Sequence, residues 1–296
     1  MKSQAMNTPI PRVTIGLPVY NGQNYLAETM ESLLAQTYTN FELVISDNAS
    51  SDRTEAICRE YAARDERVRY YRQEENVGAS ANYNHVFELA RGGYFKWAAH
   101  DDLLAPTYLE RCVAVLDENP DVVLAYTQAK AIDDQGQVVK IYPAKRHFSA
   151  PAPRERFYEF VLDPHPVVAV FGLMRRDVLG RTRLIGKYAG SDRPLLSELS
   201  LLGKFYEVPE HLFFYRFHEE QSWGGNKSPQ AQQAWYDPRR AGKITFPQWR
   251  LLREHIRSIE RSPVGLTDRA SCYLYMGYWM VKNRRRLGRN LLLRDA

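Results

Sequence analysis

Cysteine is scarce in this chain of 296 residues. The three that occur, Cys58, Cys112 and Cys272, stand far apart with no Cys-x-x-Cys spacing. That argues against a disulfide framework or a structural zinc site and fits a reducing compartment. Long apolar runs are missing too. The most apolar short stretch, Tyr273 to Val281, is about half of the roughly 20 residues that a membrane span needs. No apolar segment precedes Val13, so no signal peptide is expected. Two glycine patterns are also absent. Without Gly-x-Gly-x-x-Gly a dinucleotide oxidoreductase is disfavoured, and Pro18-Val19-Tyr20-Asn21-Gly22 is not the Gly-rich phosphate loop of a sugar nucleotidyltransferase.

What is present is ordinary globular material, 44% hydrophobic and 25% charged, enough for a sizeable core. The net charge of +5 is unevenly placed. Residues 239–296 hold 14 Lys/Arg against 4 Asp/Glu, whereas the rest of the chain is net acidic. A basic tail suits an anionic surface, phospholipid headgroups before nucleic acid. With no recognisable nucleic-acid module and an acidic remainder, no nucleic-acid partner is expected.

The first hundred residues alternate between two periods. Val13 to Tyr20, Phe41 to Ser46, Val68 to Arg72 and Tyr94 to Ala99 read as buried strands. Helices are expected between them, with Asn24 and Ser51 or Asp52 as caps, and after Pro106. Such alternation predicts an α/β fold with a mostly parallel central sheet, whose ligands bind beyond the carboxyl ends of the strands. Three strands end there in polar clusters: Tyr20-Asn21, Asp47-Asn48 and His100-Asp101-Asp102. Further on, strands are read at 122–126, 138–142, 167–174 and 205–208, and helices at 154–162 and 191–203. A Gln-, Pro- and Arg-rich stretch at 226–242 reads as a linker. Two amphipathic helices follow, marked by Trp249, Leu252, Ile256 and Ile259, and by Cys272, Tyr275, Met276 and Trp279.

Six motifs in order carry a resemblance: Leu17-Pro-Val-Tyr-Asn21, Ser32-Leu-Leu-Ala-Gln-Thr-Tyr38, the run Glu42 to Asp52, Glu75-Asn-Val-Gly78, Ala81-Asn-Tyr-Asn84 and His100-Asp-Asp-Leu-Leu104. Together they resemble the GT-A glycosyltransferases of family 2. The likeness thins after about residue 125 and returns at 190–223. It implies a catalytic domain over 1–225, with a nucleotide-sugar half to about 125 and an acceptor half beyond it. Residues 226–296 are then a linker and a helical, basic C-terminal extension. The implied activity is inverting, metal-dependent, hexosyltransferase-type transfer from a UDP- or dTDP-sugar to a hydroxyl of a saccharide or lipid-linked acceptor. Cell-surface polysaccharide synthesis is the family-level setting. The protein is expected in the cytoplasm, with peripheral contact at the inner face of the plasma membrane through the basic C-terminus.

Asp47 ends a hydrophobic strand, where a carboxylate can accept from a pyrimidine imide N–H or simply open a turn. The resemblance favours the base contact, with Pro18 and Tyr20 lining that pocket and Asn21 nearby. Asn76 and Asn84 either brace the nucleotide loop or serve turns. Asp101 and Asp102 are hard oxygen ligands that suit Mg²⁺ or Mn²⁺ bridging to phosphate, although acids also favour a helix N-terminus. Asp102 is the expected main ligand and Asp101 its support. Ala99 stands where the family often has the first Asp, and His100 is placed near ribose or phosphate. Asp192 is read both as the catalytic base and as a helix cap; Ser191 replaces the acid that commonly precedes it. The late run Tyr215-Arg-Phe-His218, with Gln221 and Ser222, places His218 by the metal or diphosphate, and Trp223-Gly224-Gly225 reads as a closing loop. Ala99 and Ser191 support the alternative of a catalytically degenerate nucleotide-sugar-binding or scaffold protein. At the C-terminus the aromatics are expected to pack on the catalytic domain. Arg284, Arg285, Arg286 and Arg289 are expected to face lipid.

Overall fold

The computed structural model describes residues 10–142, 148–162, 167–218, 229–240 and 246–292. Chain order begins β1 (Val13–Val19), α1 (Leu26–Leu34), β2 (Phe41–Asp47), α2 (Thr54–Arg64), β3 (Val68–Arg72), α3 (Ala79–Glu88) and β4 (Tyr94–Trp97). It continues through β5 (Leu103–Leu104), α4 (Tyr108–Glu118), β6 (Val122–Ile132), β7 (Val138–Ile141), α5 (Pro153–Leu162), a 3₁₀ turn (Val167–Phe171), β8 (Leu173–Arg175) and α6 (Arg176–Leu179). Then come α7 (Asp192–Leu202), β9 (Lys204–Arg216), α8 (Pro229–Tyr236), a 3₁₀ turn (Pro238–Arg240), α9 (Pro247–Arg261), α10 (Leu266–Lys282) and α11 (Arg284–Leu292).

One mixed sheet is ordered β3-β2-β1-β4-β8-β6-β9-β5, with β7 hung on β6. The pairs β3·β2, β2·β1, β1·β4 and β6·β9 are parallel; β8 pairs antiparallel with both β4 and β6. Six strands therefore point one way, and the carboxyl ends of β1, β2, β4, β6 and β9 share one rim. The strand order reverses beside β1, the place where open α/β sheets leave a crevice.

Strands β1 and β2 are buried along their whole length, as parallel strands covered on both faces must be. On one face Val13, Ile15, Leu17 and Val19 pack with Leu26 and Met30 of α1, Cys58 of α2 and Leu109 of α4. On the other, Val44, Phe95 and Trp97 pack with Val86 of α3 and Leu195, Leu196 and Leu199 of α7. A third cluster joins α5 and α7 to the C-terminal helices through Phe157, Leu201, Leu252, Ile259, Cys272, Met276, Trp279 and Leu287. At about 2 kcal/mol for each fully buried apolar side chain, that seam makes α9 and α10 part of the folded body. Both expected tryptophans pack inward: Trp279 is buried, and Trp249 donates its indole N–H to Leu287 O.

Several local expectations differ from the structure. Residues 167–171 form a 3₁₀ turn and not a strand, with Phe171 O accepting from the Tyr108 hydroxyl. The strands read at 122–126 and 205–208 run on to Ile132 and Arg216. Tyr25, not Asn24, occupies the cap position of α1, and Arg53 that of α2. Asp52 still accepts the Thr54 N–H at 3.0 Å. The stretch read as a linker holds α8 and a 3₁₀ turn, with Gln233 donating to Lys187 O.

Candidate functional site

The rim of carboxyl ends gathers the polar clusters read from the sequence. Three of its loops hold the non-glycine residues with positive φ, Asn21 (50°), Ala49 (60°) and Leu184 (56°). Backbone held in this region by non-glycine residues is a recurrent feature of binding sites.

The first part of the site lies where β1 and β2 end. Pro18 is buried and Tyr20 is 42% exposed. The Asn21 side chain accepts the Ser51 N–H at 2.9 Å, which ties the two loops together. Asp47 is fully buried. Its Oδ1 accepts the Ser50 N–H, and its Oδ2 accepts from the Tyr70 hydroxyl at 2.9 Å and pairs with Arg72 Nη1 at 2.7 Å. A carboxylate has about four acceptor positions. Three are filled from within and the side chain is fully buried, so Asp47 serves to fix Arg72 at the rim. Arg72 is paired in register with Asp47 and escaped the sequence reading, although its place at the end of β3 marked it. Asn76 accepts from Asn48 and from the Gly78 N–H, and thus braces a turn. Asn84 exchanges two hydrogen bonds with the Ile185 backbone, which anchors the loop that leads to α7.

The second part lies beyond β4. Thr29 of α1 donates to the carbonyls of His100 and Asp102 and holds the acid loop from below. Gly22 is required beside it: a Cβ there would stand 2.8 Å from the His100 ring. Asp101 Oδ2 lies 2.9 Å from His218 Nε2. Burial resists ionisation of Asp101, but His100 and His218 outweigh it and hold the carboxyl below its usual range. An ionised Asp101 only accepts, so the proton of this contact sits on His218 Nε2. Asp102 shows the opposite balance. Burial, joined by the Asp101 charge, pushes its carboxyl well above the usual range. Its Oδ1 accepts the Arg216 N–H at 3.0 Å, while its Oδ2 is buried with no partner among the described residues.

Arg216 knits this part together. It is 1% exposed. Its Nε donates to Asp101 O, its Nη1 to Asp133 O and Asp134 O, and its Nη2 pairs with Glu28 at 2.6 Å; its guanidinium lies over the Tyr25 ring. Loops after β4 and β6 and the first turn of α1 are thereby clamped to the end of β9.

A cation fits the acid pair in one respect. The Asp102 Oδ2 is a buried hard-oxygen acceptor with no hydrogen-bond partner among the described residues. Among the described residues no group of three His, Cys, Asp or Glu gathers as a full ligand set. Mg²⁺ and its like commonly take one or two carboxylates and draw their other ligands from phosphate and water. His218 already engages Asp101 through Nε2, and its Nδ1 has no partner among the described residues. Gln221, Ser222 and the Trp223-Gly224-Gly225 loop lie outside the described residues.

The third part is the start of α7. Asp192 is its first residue, and its Oδ1 accepts the Arg193 N–H at 3.0 Å. Ser191 occupies the cap position without a side-chain capping bond. Burial raises the Asp192 carboxyl above its ordinary value. Two tyrosines connect this residue to the acid pair. Tyr83 of α3, pushed up by burial, feels the charges of Asp101 and Asp102 and lies near Tyr236 of α8. Tyr236, also pushed up by burial, feels Asp192. Gly78, at φ 86°, lets α8 close in: a Cβ there would meet Tyr236 O at 2.7 Å. Neither tyrosine was singled out from the sequence, because their convergence depends on contacts between distant segments.

Residues 14–182 match the family model described as glycosyl transferase family 2. An uncharacterized glycosyltransferase of Rickettsia typhi (strain ATCC VR-144 / Wilmington) is 34% identical over 181 residues, 60% of this chain and 51% of that protein. The chain thus spans about half the length of this curated relative. Among solved structures, S. aureus TarS 1-349 in complex with UDP-GlcNAc superposes with a TM-score of 0.67 at 16% identity, covering 92% of this chain and 72% of that one. The mannosyltransferase PcManGT from Pyrobaculum calidifontis, in complex with GDP-Man and Mn²⁺, gives 0.58 at 16% identity over 96% and 74%. At such identities the likeness is one of fold, the GT-A α/β architecture.

Proposed function

The chain belongs to glycosyl transferase family 2, and from that premise we propose that it is an inverting glycosyltransferase acting on a nucleoside-diphosphate sugar. A UDP- or dTDP-sugar is the proposed donor, and a hydroxyl of a saccharide or lipid-linked molecule the acceptor. The observation that carries this reading is the acid pair at the sheet's carboxyl rim, where Asp102 keeps a buried oxygen with no hydrogen-bond partner among the described residues. Asp102, supported by Asp101, would hold Mg²⁺ or Mn²⁺, which when bound offsets the negative charge of the departing diphosphate. The base sits between Tyr20 and Arg72, with Asp47 behind the arginine.

Asp192 acts on the acceptor. It takes the proton of the attacking hydroxyl as that oxygen bonds to C1 and the bond from C1 to the diphosphate oxygen breaks on the opposite face. A carboxyl raised by burial is a stronger base than an exposed one, which suits this task. Tyr83 and Tyr236 would border the space between donor and base.

Two measurements test the proposal. Thermal unfolding with a panel of nucleoside diphosphates and their sugars, with and without Mn²⁺, should show a metal-dependent rise for UDP or dTDP. If no nucleoside diphosphate moves the transition, the donor assignment is wrong. Asp192→Asn should retain that donor-induced rise and lose transfer by about 100-fold or more, the usual worth of a general base. Full transfer by the variant removes Asp192 from the role. Donor binding without turnover on any acceptor offered would point instead to the degenerate binding protein that Ala99 and Ser191 allow.

A further inference from the structure

Helix α10 buries only one side. Cys272, Met276 and Trp279 enter the seam with α5 and α9. On the opposite side Leu266 (85% exposed), Leu274 (75%), Val281 (59%), Tyr278 (57%), Tyr273 and Met280 are open. At about 100° per residue these six fall in one arc of roughly 160°, together with the exposed Ala270 and Gly277. No charged side chain enters the arc. The charged groups of α10 lie outside it and reach back into the protein: Asp268 pairs with Arg154 at 2.8 Å, Arg269 donates to Ser262 O and Lys282 to Leu162 O. A patch of this kind marks an interaction surface.

The charges beside the arc identify the partner. Arg284, Arg285, Arg286 and Arg289 follow at the head of α11, all exposed, and none forms an ion pair among the described residues. An apolar helical face with two tyrosines, followed in the chain by unneutralised arginines, has the composition of a segment lying in a bilayer interface. A second copy docked through the same face would bring two such arginine groups together, whereas protein interfaces are depleted of charge at their centre. Among the described residues no helix is long and apolar enough to cross a membrane, so attachment through this face is lateral. We propose that the outward face of α10 and the arginines of α11 form a docking surface for an anionic phospholipid bilayer. This inference stands on α10 and α11 alone and does not depend on the catalytic reading.

Co-sedimentation with vesicles, in the absence of donor, tests it. Vesicles of phosphatidylcholine with about a third phosphatidylglycerol should bind the protein at least about tenfold better than phosphatidylcholine alone, and raised salt should erode the difference. Leu274→Asp with Val281→Asp should lower binding to the anionic vesicles by about tenfold or more. Replacing the four arginines by glutamine should reduce the anionic preference to about twofold or less. Because all six positions are exposed, the unfolding temperature of each variant should match that of the parent and separate lost docking from lost folding. No binding to anionic vesicles, or binding that the aspartate pair leaves unchanged, overturns the proposal. So does a dimer in solution that Leu274→Asp dissociates, which would assign the face to a second copy.

Discussion

Replacing Asp102 by asparagine is expected to lower sugar transfer by about a thousandfold or more, and to leave the fold as stable as the parent or slightly more so. The two halves of this expectation have one cause. Asp102 is 5% exposed, its neighbour Asp101 is held ionised by two histidines, and its Oδ2 has no partner among the described residues. In the folded protein without metal such a carboxylate is a liability. Asparagine keeps the acceptor for the Arg216 N–H and cannot ionise, so it escapes the cost of about 1 kcal/mol or more that the raised pKa places on the acid once pH exceeds its unfolded value. In the donor complex the same charge is what a divalent cation requires, and asparagine cannot supply it. The variant should therefore unfold at an equal or higher temperature in chelator, and fail to show the Mn²⁺-dependent rise with nucleoside diphosphate. Asp101→Asn should differ, because it takes from His218 Nε2 its carboxylate acceptor and costs stability as well as activity. Asp102→Asn that transfers at the parental rate would remove the acid pair from the centre of the mechanism.

The pH dependence follows from the direction of the shift. The Asp102 carboxyl titrates above its unfolded value. Its contribution to stability is full below the unfolded pKa and is lost as pH rises through the raised native value. Metal-free protein should lose stability over that window, whereas Asp102→Asn, lacking this titration, should lose less. Equal slopes for the two proteins in chelator would contradict the assignment. Bound metal competes with the proton, so metal affinity should rise over the same window.

The parts of this fold legible in sequence are those set by local pattern. Buried parallel strands such as Val13–Val19 and Phe41–Asp47 are near-continuous apolar runs, and the polar residues that end them mark the rim of the sheet. Asp47, Asp101 and Asp102 could thus be singled out before any contact was known, whereas His218 and the GT-A fold came from the resemblance of ordered motifs to family 2. The run Val167–Phe171 is just as apolar yet forms a 3₁₀ turn, since a short apolar stretch does not declare its period. The strand read at 205–208 is the start of β9, which runs through Pro209 to Arg216. The strand passes through the proline because the register with β6 shifts there, from Thr127 opposite Val208 to Gln128 opposite His211. The Gln-rich composition of 226–242 concealed α8, whose place depends on Gly78 and Lys187 far away in sequence. Arg216 is the clearest case. It stood inside a motif, but its partners Glu28, Asp101 and Asp133 lie 188, 115 and 83 residues away, and no pattern along the chain announces them.

Arg216→Met is accordingly expected to be the most destabilising single change at the site, by about 3 kcal/mol, with a loss of metal-dependent donor binding of about tenfold or more. Methionine fills most of the same volume but leaves the carbonyls of Asp101, Asp133 and Asp134 without their donor. Glu28 is not the reason for the cost. Its side chain is 54% exposed, so water compensates it, and Glu28→Gln should change stability by less than about 1 kcal/mol. The sensitive element is the acid loop. With the Asp101 carbonyl released, the loop after β4 keeps Thr29 beneath it, the Arg216 backbone N–H against Asp102 and His218 against the Asp101 carboxylate. Arg216→Lys separates charge from geometry. Lysine retains the positive charge but cannot reach three loops at once, because a single ammonium lacks the planar fork of guanidinium. It should recover part of the stability and little of the donor affinity. Urea unfolding and nucleotide titration in Mn²⁺ read the two effects separately. An Arg216→Met protein with the parental urea midpoint would show that the clamp is redundant. A Lys variant with full donor affinity would show that charge alone, and not the bridging of β4, β6 and α1, sets the site.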